Sequence, residues 1–137
     1  MNAMAPFEFV NPQGPVSQQT RRRERLREWR DFVSEQARSA LPEPQVLATE
    51  PVAIRLLYFY DEAALDADNI LKPIQDALVG VLLEDDSIIT DVEIRRRWRK
   101  TTFTLNEVSP TLAAGLALGR EFVYVAVSDA PAQDVLP

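Results

Sequence analysis

The sequence predicts a single α/β domain of two layers, a mixed β-sheet with helices packed on it. Three observations lead there. Val52–Tyr60 (VAIRLLYFY) is a run of β-branched and aromatic residues of strand length. Two stretches instead carry apolar residues at helical spacing: Leu26, Trp29, Val33, Ala37 and Leu41, and then Ile70, Leu71, Ile74, Ala77, Leu78 and Val81. At 137 residues the chain can bury one core without staples, and with no cysteine it has no disulfides.

Residues 1–3 read as an extension ahead of a start at Met4 and carry none of the argument. Phe7-Glu8-Phe9-Val10 alternates as a short strand, stopped by the turn cluster Asn11-Pro12-Gln13-Gly14-Pro15. A helix is expected from Ser17 or Thr20 to Leu41, ended by Pro42 and Pro44. Its first turns carry Arg21, Arg22, Arg23, Arg25 and Arg27. Cations at a helix N-terminus oppose the macrodipole, at up to about 1 kcal/mol each when exposed. Contact with phosphate would offset that cost. A solvated face partly neutralised by Glu24, Glu28 and Asp31 would also do so, and the sequence leaves both open.

The linker Leu41–Pro51 is broken by prolines, and the strand Val52–Tyr60 then delivers the chain to Asp61. The next helix is expected to begin close to Asn69 or a few residues later, because Pro73 is tolerable only near a first turn. Gly80 is placed to help end it. Glu84-Asp85-Asp86-Ser87 reads as a turn opening a strand from Ile88 to Trp98, where Val92, Ile94, Arg96 and Trp98 alternate with Glu93, Arg95, Arg97 and Arg99. Phe103–Val108 is expected to be a further short strand. Ser109 at a cap and Pro110 at a first helical position open a short helix that Gly119 closes. Phe122–Val127 is the last strand. The domain is expected to span residues 1–128, with 129–137 a loose tail.

Charge concentrates in the segment around the second helix. Asp61–Glu93 holds ten acids against Lys72, a local charge of −9. Twelve of the fifteen cationic residues fall instead in Arg21–Arg38 and Arg95–Lys100, so the net charge of −6 argues only weakly against a nucleic-acid partner. Asp66 and Asp68 lie just ahead of the expected helix, two residues apart in an extended segment, where both carboxylates face one way. Lys72 and Asp76 share a helical stripe. A strand returning antiparallel to that helix brings Asp86 back towards its start, so three carboxylates and one lysine converge. Taken alone, each piece has a plainer reading, as a helix cap or a solvated turn.

Without cysteine or histidine there is no thiolate and no imidazole base, so any hydrolysis must run on carboxylates, lysine and metal-bound water. Hard oxygen ligands favour magnesium or manganese over zinc. A calcium loop fits poorly, since the run from Asp66 lacks the glycine at its sixth position and the glutamate at its twelfth. The apolar runs are too short to cross a bilayer and no cationic-then-apolar leader is present, so a cytoplasmic location and no membrane partner are expected.

Asp66-Ala67-Asp68-Asn69-Ile70-Leu71-Lys72, followed by Asp76-Ala77-Leu78 and Asp85-Asp86-Ser87, resembles the signature of the RusA-type Holliday-junction resolvases. In that family a D-x-D-N-x-x-K segment, a helix and a D-D turn build the active site. The resemblance covers roughly residues 50 to 100, and more loosely the element order, with Thr101–Gly119 looking like an added helix. It implies a RusA-like fold and a magnesium-dependent endodeoxyribonuclease, with manganese able to substitute. The substrate it implies is branched DNA, four-way junctions in recombination and repair, cut by a homodimer. By the resemblance Asp66, Asp68 and Asp86 are metal ligands and Asp85 is either a further ligand or a support, while Asn69 and Asp76 are expected only to support the ligands. Lys72 either stabilises charge on the transition-state phosphate or forms an ion pair that holds the carboxylates apart. Arg21, Arg22, Arg23, Arg25, Arg95, Arg97, Arg99 and Lys100 are the candidate DNA contacts, joined by Ser17, Gln18 and Gln19 of the loop that faces DNA in the family. Trp29, Tyr58, Trp98 and Phe103 furnish a dimer interface or simply core.

Three rival readings stand beside this one. A catalytically inactive DNA-binding module of the same fold would gain by losing repulsive carboxylates, which are all present. A nuclease for other branched DNA would carry the same residues. A structural ion-binding protein would leave the two arginine clusters without a purpose.

Overall fold

The computed structural model describes residues 7–41, 43 and 46–136. Strands β1 (Phe7–Asn11), β2 (Val52–Tyr60), β3 (Ile89–Trp98) and β4 (Phe122–Asp129) form one mixed sheet in the order β1-β4-β2-β3. β2 and β3 are parallel neighbours, and β4 lies antiparallel to both β1 and β2. Alternation along β2 sorts its side chains between two faces. Val52, Ile54, Leu56 and Tyr58 join the main core with Trp29 and Val33 of α1 (Arg23–Ala40) and Ile70 and Ile74 of α2 (Ala67–Leu78). Phe59 faces the other way, onto Phe122 and Tyr124, where α3 (Pro110–Leu116) adds Leu112 and Leu116. That helix can come so near because Gly115 has no side chain: a Cβ there would stand 2.7 Å from the Phe122 ring.

α1 and α2 run in the same direction, since the bonds between the two segments follow in chain order. The Gln18 N–H meets the Asn69 carbonyl just ahead of α1, Arg30 meets Asp76, and Ser34 Oγ donates to the Ala77 carbonyl at 2.7 Å. Both N-termini therefore open at the same end of the sheet, the carboxyl end of β2.

Several expectations change. α1 begins at Arg23, not at Ser17 or Thr20, because the hydroxyls of those two residues accept from the Gln19 and Arg22 N–H groups and hold the chain in turns. It ends at Ala40; Pro42 and Pro44 lie outside the described residues. α2 starts earlier than expected, so Asp66 takes its cap position and Asp68 lies within its first turn rather than ahead of it. Pro73 is consequently inside the helix, a placement that costs about 3 kcal/mol when the lost hydrogen bond has no substitute. Here there is a substitute. Pro73 has no N–H for the Asn69 carbonyl four residues back, and that carbonyl accepts from the Gln18 N–H at 3.1 Å instead. Gly80, at φ 84°, makes the left-handed turn that follows α2.

Phe103–Val108 is not a strand. Phe103 packs edge-on against Phe59, with centroids 5.6 Å apart, and Glu107 takes φ 46°, which breaks an extended run. β3 is a sheet edge, so its apolar face is thinly covered: Val92 and Trp98 are 46% and 47% exposed. Trp29 and Tyr58 are core residues. After Asp129 the described residues form no regular element, although the Gln133 amide donates to Thr90 Oγ1 at 3.2 Å.

Candidate active site

The chain leaves the carboxyl end of β2 through residues 61–65 and enters α2 there, the end at which open α/β sheets place their ligands. This connection is pinned from several sides. Arg96 Nη1 donates to the Leu65 carbonyl and Trp98 Nε1 to the Asp61 carbonyl, both at 3.0 Å, and Arg99 forms an ion pair with Asp61. Glu121 Oε1 accepts from the Asp61 N–H at 2.8 Å and from the Tyr58 hydroxyl at 3.3 Å. Burial, with Glu121 beside it, pushes the Tyr58 hydroxyl well above its ordinary pKa.

Asp66 stands at the cap position with extended backbone, φ −63° and ψ 143°, yet its side chain makes no capping bond. The cap reading therefore fails for its carboxylate, which is exposed. Asp68, also exposed, accepts through Oδ1 from the Asn69 N–H at 3.1 Å. Both charges sit at the positive end of the α2 dipole, which favours them.

Asp86 opens a short 3-10 turn, Asp86–Ile88, ahead of β3. Lys72 Nζ lies 2.9 Å from Asp76 Oδ1 and 3.1 Å from Asp86 Oδ2, and Arg30 reaches the other oxygen of Asp76 at 3.7 Å. The bonds to Asp76 first and Asp86 second raise the Lys72 pKa. Asp85 caps the 3-10 turn, taking the Ser87 N–H at 3.3 Å, and that bond holds its carboxyl below the usual value. Asn69 is tied through its backbone to Gln18, as above.

The return of Asp86 differs from the expectation. It meets α2 at Lys72, inside the helix, rather than at the Asp66 end, because β3 begins beside Val52 at the far end of β2. Among the described residues, no three carboxylates are gathered closely enough to hold a metal ion. The chemistry of the donors nevertheless fits a hard divalent cation, being all carboxylate oxygen. A cation already stands in that neighbourhood, the Lys72 ammonium between Asp76 and Asp86.

The two arginine groups fare differently. Among the described residues no carboxylate pairs with Arg21, Arg22, Arg23, Arg25 or Arg27, so Glu24, Glu28 and Asp31 do not neutralise them through ion pairs. α1 has no side-chain cap either. Arg22, Arg23, Glu24, Arg25 and Glu28 line a shallow polar cleft of about 600 Å³. Arg23 Nη1 donates to the Gln18 carbonyl at 3.1 Å, which joins this cleft to the loop resting on Asn69. Gln18 also carries a buried side-chain carbonyl without a donor among the described residues. On β3, by contrast, Arg95 pairs with Glu93 at 3.1 Å and Arg99 with Asp61. Arg95 and Arg97 project from the sheet face opposite α1 and α2, in register with Leu57 and Phe59, while Lys100 is exposed in the turn after β3. The structure thus brings the α1 arginines, not Arg95 and Arg97, to the α2 N-terminus.

Arg30 and Glu121 escaped the sequence reading. Neither has a local signal, since their partners Asp76 and Asp61 lie far along the chain.

Residues 8–105 match the family described as Endodeoxyribonuclease RusA. The chain belongs to this family. The RusA match includes all the carboxylates and arginines named as site candidates and stops before α3 and β4. DNA is thereby the substrate class and the phosphodiester the bond. No curated protein matches the chain. Among the described residues no helix is long and apolar enough to cross a membrane.

Proposed function

We propose that this RusA-family protein is a divalent-metal-dependent nuclease that resolves four-way DNA junctions in recombination and repair, working as a homodimer. The observation that carries the reading is the exposed, non-capping Asp66 with Asp68 at the α2 N-terminus, beside unpaired arginines of α1. A bare carboxylate pair is poorly suited to DNA unless a cation joins it.

Asp66, Asp68 and Asp86, with Asp85 alongside, would supply the oxygen donors for magnesium or manganese once the ion draws them together, and the ion when bound polarises a phosphate and makes hydroxide available near neutral pH. Lys72 offers a third N–H beyond its bonds to Asp76 and Asp86, and this donor would stabilise the charge that grows on the phosphate in the transition state. Arg21, Arg22, Arg23 and Arg25 hold flanking phosphates, and Gln18 and the Asn69 backbone fix that binding surface to the catalytic helix. A homodimer supplies two such sites to a two-fold junction.

Incubation of a labelled four-way junction and its linear duplex with the protein and magnesium or manganese tests this reading. The expected result is cutting of the junction alone, lost in Asp86→Asn with junction binding retained or tightened. Cutting of flaps and not junctions would shift the substrate. The rival, a binding module without catalysis, is favoured by the dispersed carboxylates, and binding with no cutting under either metal would establish it.

A further inference from the structure

Four alternating charges, Arg30, Asp76, Lys72 and Asp86, run from α1 across α2 to the turn before β3. Resting on the nuclease reading above, we infer that Arg30 is a positioning residue for Lys72, acting through the carboxylate of Asp76 that the two cations share.

Lys72 has three N–H donors, and two are engaged by carboxylates. Asp76 is the nearer of those carboxylates and lies one turn along the same helix, so it draws the ammonium back along α2. Asp86 draws it the other way, towards the turn that also carries Asp85. Where the ammonium rests depends on how strongly Asp76 is satisfied by something else. Arg30 is that second source of positive charge, 3.7 Å from Asp76 Oδ2, while Lys72 sits at Oδ1. The side chains of Arg30 and Asp76 are 36% and 27% exposed, so water screens this pair less than a fully exposed one. The contact is also set by helix packing: Arg30 follows the fully buried Trp29, and Ser34 one turn later is hydrogen-bonded to the Ala77 carbonyl. Without Arg30, Asp76 claims Lys72 alone. The ammonium then shifts away from Asp86 and the phosphate, and the chemical step slows with little change in DNA binding.

Single-turnover cleavage of a saturating four-way junction, together with junction affinity measured without divalent metal, tests this. Arg30→Met should cut about tenfold more slowly, since small misplacements of a catalytic group have effects of this order. Its affinity should stay within about twofold, as Arg30 is not asked to touch DNA. Arg30→Lys should recover most of the rate. Adding Asp76→Asn to Arg30→Met should also raise the rate, to that of Asp76→Asn alone, because the carboxylate that competes for Lys72 is gone. Three results overturn the inference: a wild-type rate in Arg30→Met, a rate loss matched by an affinity loss, or a loss that Asp76→Asn does not relieve, which would mark a plain clasp between helices. Should Arg30→Met melt below the assay temperature, Arg30→Gln against Arg30→Lys carries the same comparison, with Gln slow and Lys fast. A wild-type chain that cuts no DNA refutes the nuclease reading and this inference together, whereas any of the three results above refutes the inference alone.

Discussion

Replacing Lys72 by Met separates an ion pair from a catalytic group, because the two roles predict effects of different size. Methionine keeps an unbranched stem and a similar helix propensity, so α2 should be unperturbed. The side chain of Lys72 is 47% exposed and makes two carboxylate contacts. Exposed pairs contribute about 0.2–1 kcal/mol each, and the two together come to roughly 1 kcal/mol. For a domain of this size that lowers the melting temperature by about 3–5 °C. Loss of a preorganised donor to the transition state is much larger, about 10²- to 10³-fold in rate. The same substitution removes a cation that competes for Asp86, so manganese should bind the free protein at least as tightly as it binds the wild type. The assay is single-turnover cleavage of a four-way junction beside thermal melting and calorimetric manganese titration. A rate within about threefold of wild type at saturating metal would refute the catalytic role, since the preorganised donor predicts far more, and leave Lys72 as the spacer between Asp76 and Asp86.

Asp68→Asn should abolish the magnesium or manganese heat seen with wild type in a calorimetric titration, and identical titrations would remove Asp68 from the ligand set. Replacing Arg21, Arg22 and Arg23 by Ala should flatten the dependence of log affinity on log salt, by about 0.9 for each phosphate that is no longer neutralised. The melting temperature of that variant should hold or rise, since α1 loses cations at its uncapped N-terminus; an unchanged salt slope would place the DNA elsewhere. Pro73→Ala should restore an N–H that competes with Gln18 for the Asn69 carbonyl. Faster hydrogen exchange at Gln18 and weaker junction binding, with α2 itself no less stable, are the expected outcomes, and unchanged exchange at Gln18 would discard this account of Pro73.

Where a property was written in neighbouring residues, the sequence determined it. The strand Val52–Tyr60 matches its expected bounds because its β-branched and aromatic side chains suit a pleated, half-buried surface on any sheet. Ser109 and Pro110 open α3 as read, with the hydroxyl accepting from the Leu112 N–H, because capping is decided within one turn. The D-x-D-N-x-x-K run identified the family for the same reason, as chemistry spelled in adjacent positions. Tertiary structure decided what depended on partners far along the chain. Pro73 argued for a later start to α2, and the Gln18 N–H, from a loop distant in sequence, supplied the hydrogen bond that the proline cannot. The arginines of Arg21–Arg27 and Arg95–Lys100 looked alike in sequence, and only sheet register sent Arg95 and Arg97 to the face away from α2. Asp86 was expected at the Asp66 end of α2, but the pairing of Ile89 with Val52 set β3 so that the chain arrives at Lys72 instead. Local propensity acts through a residue's own backbone and its neighbours within a turn, whereas register and helix packing are set by burying one shared core, so side chains distant in sequence meet only once that core has formed.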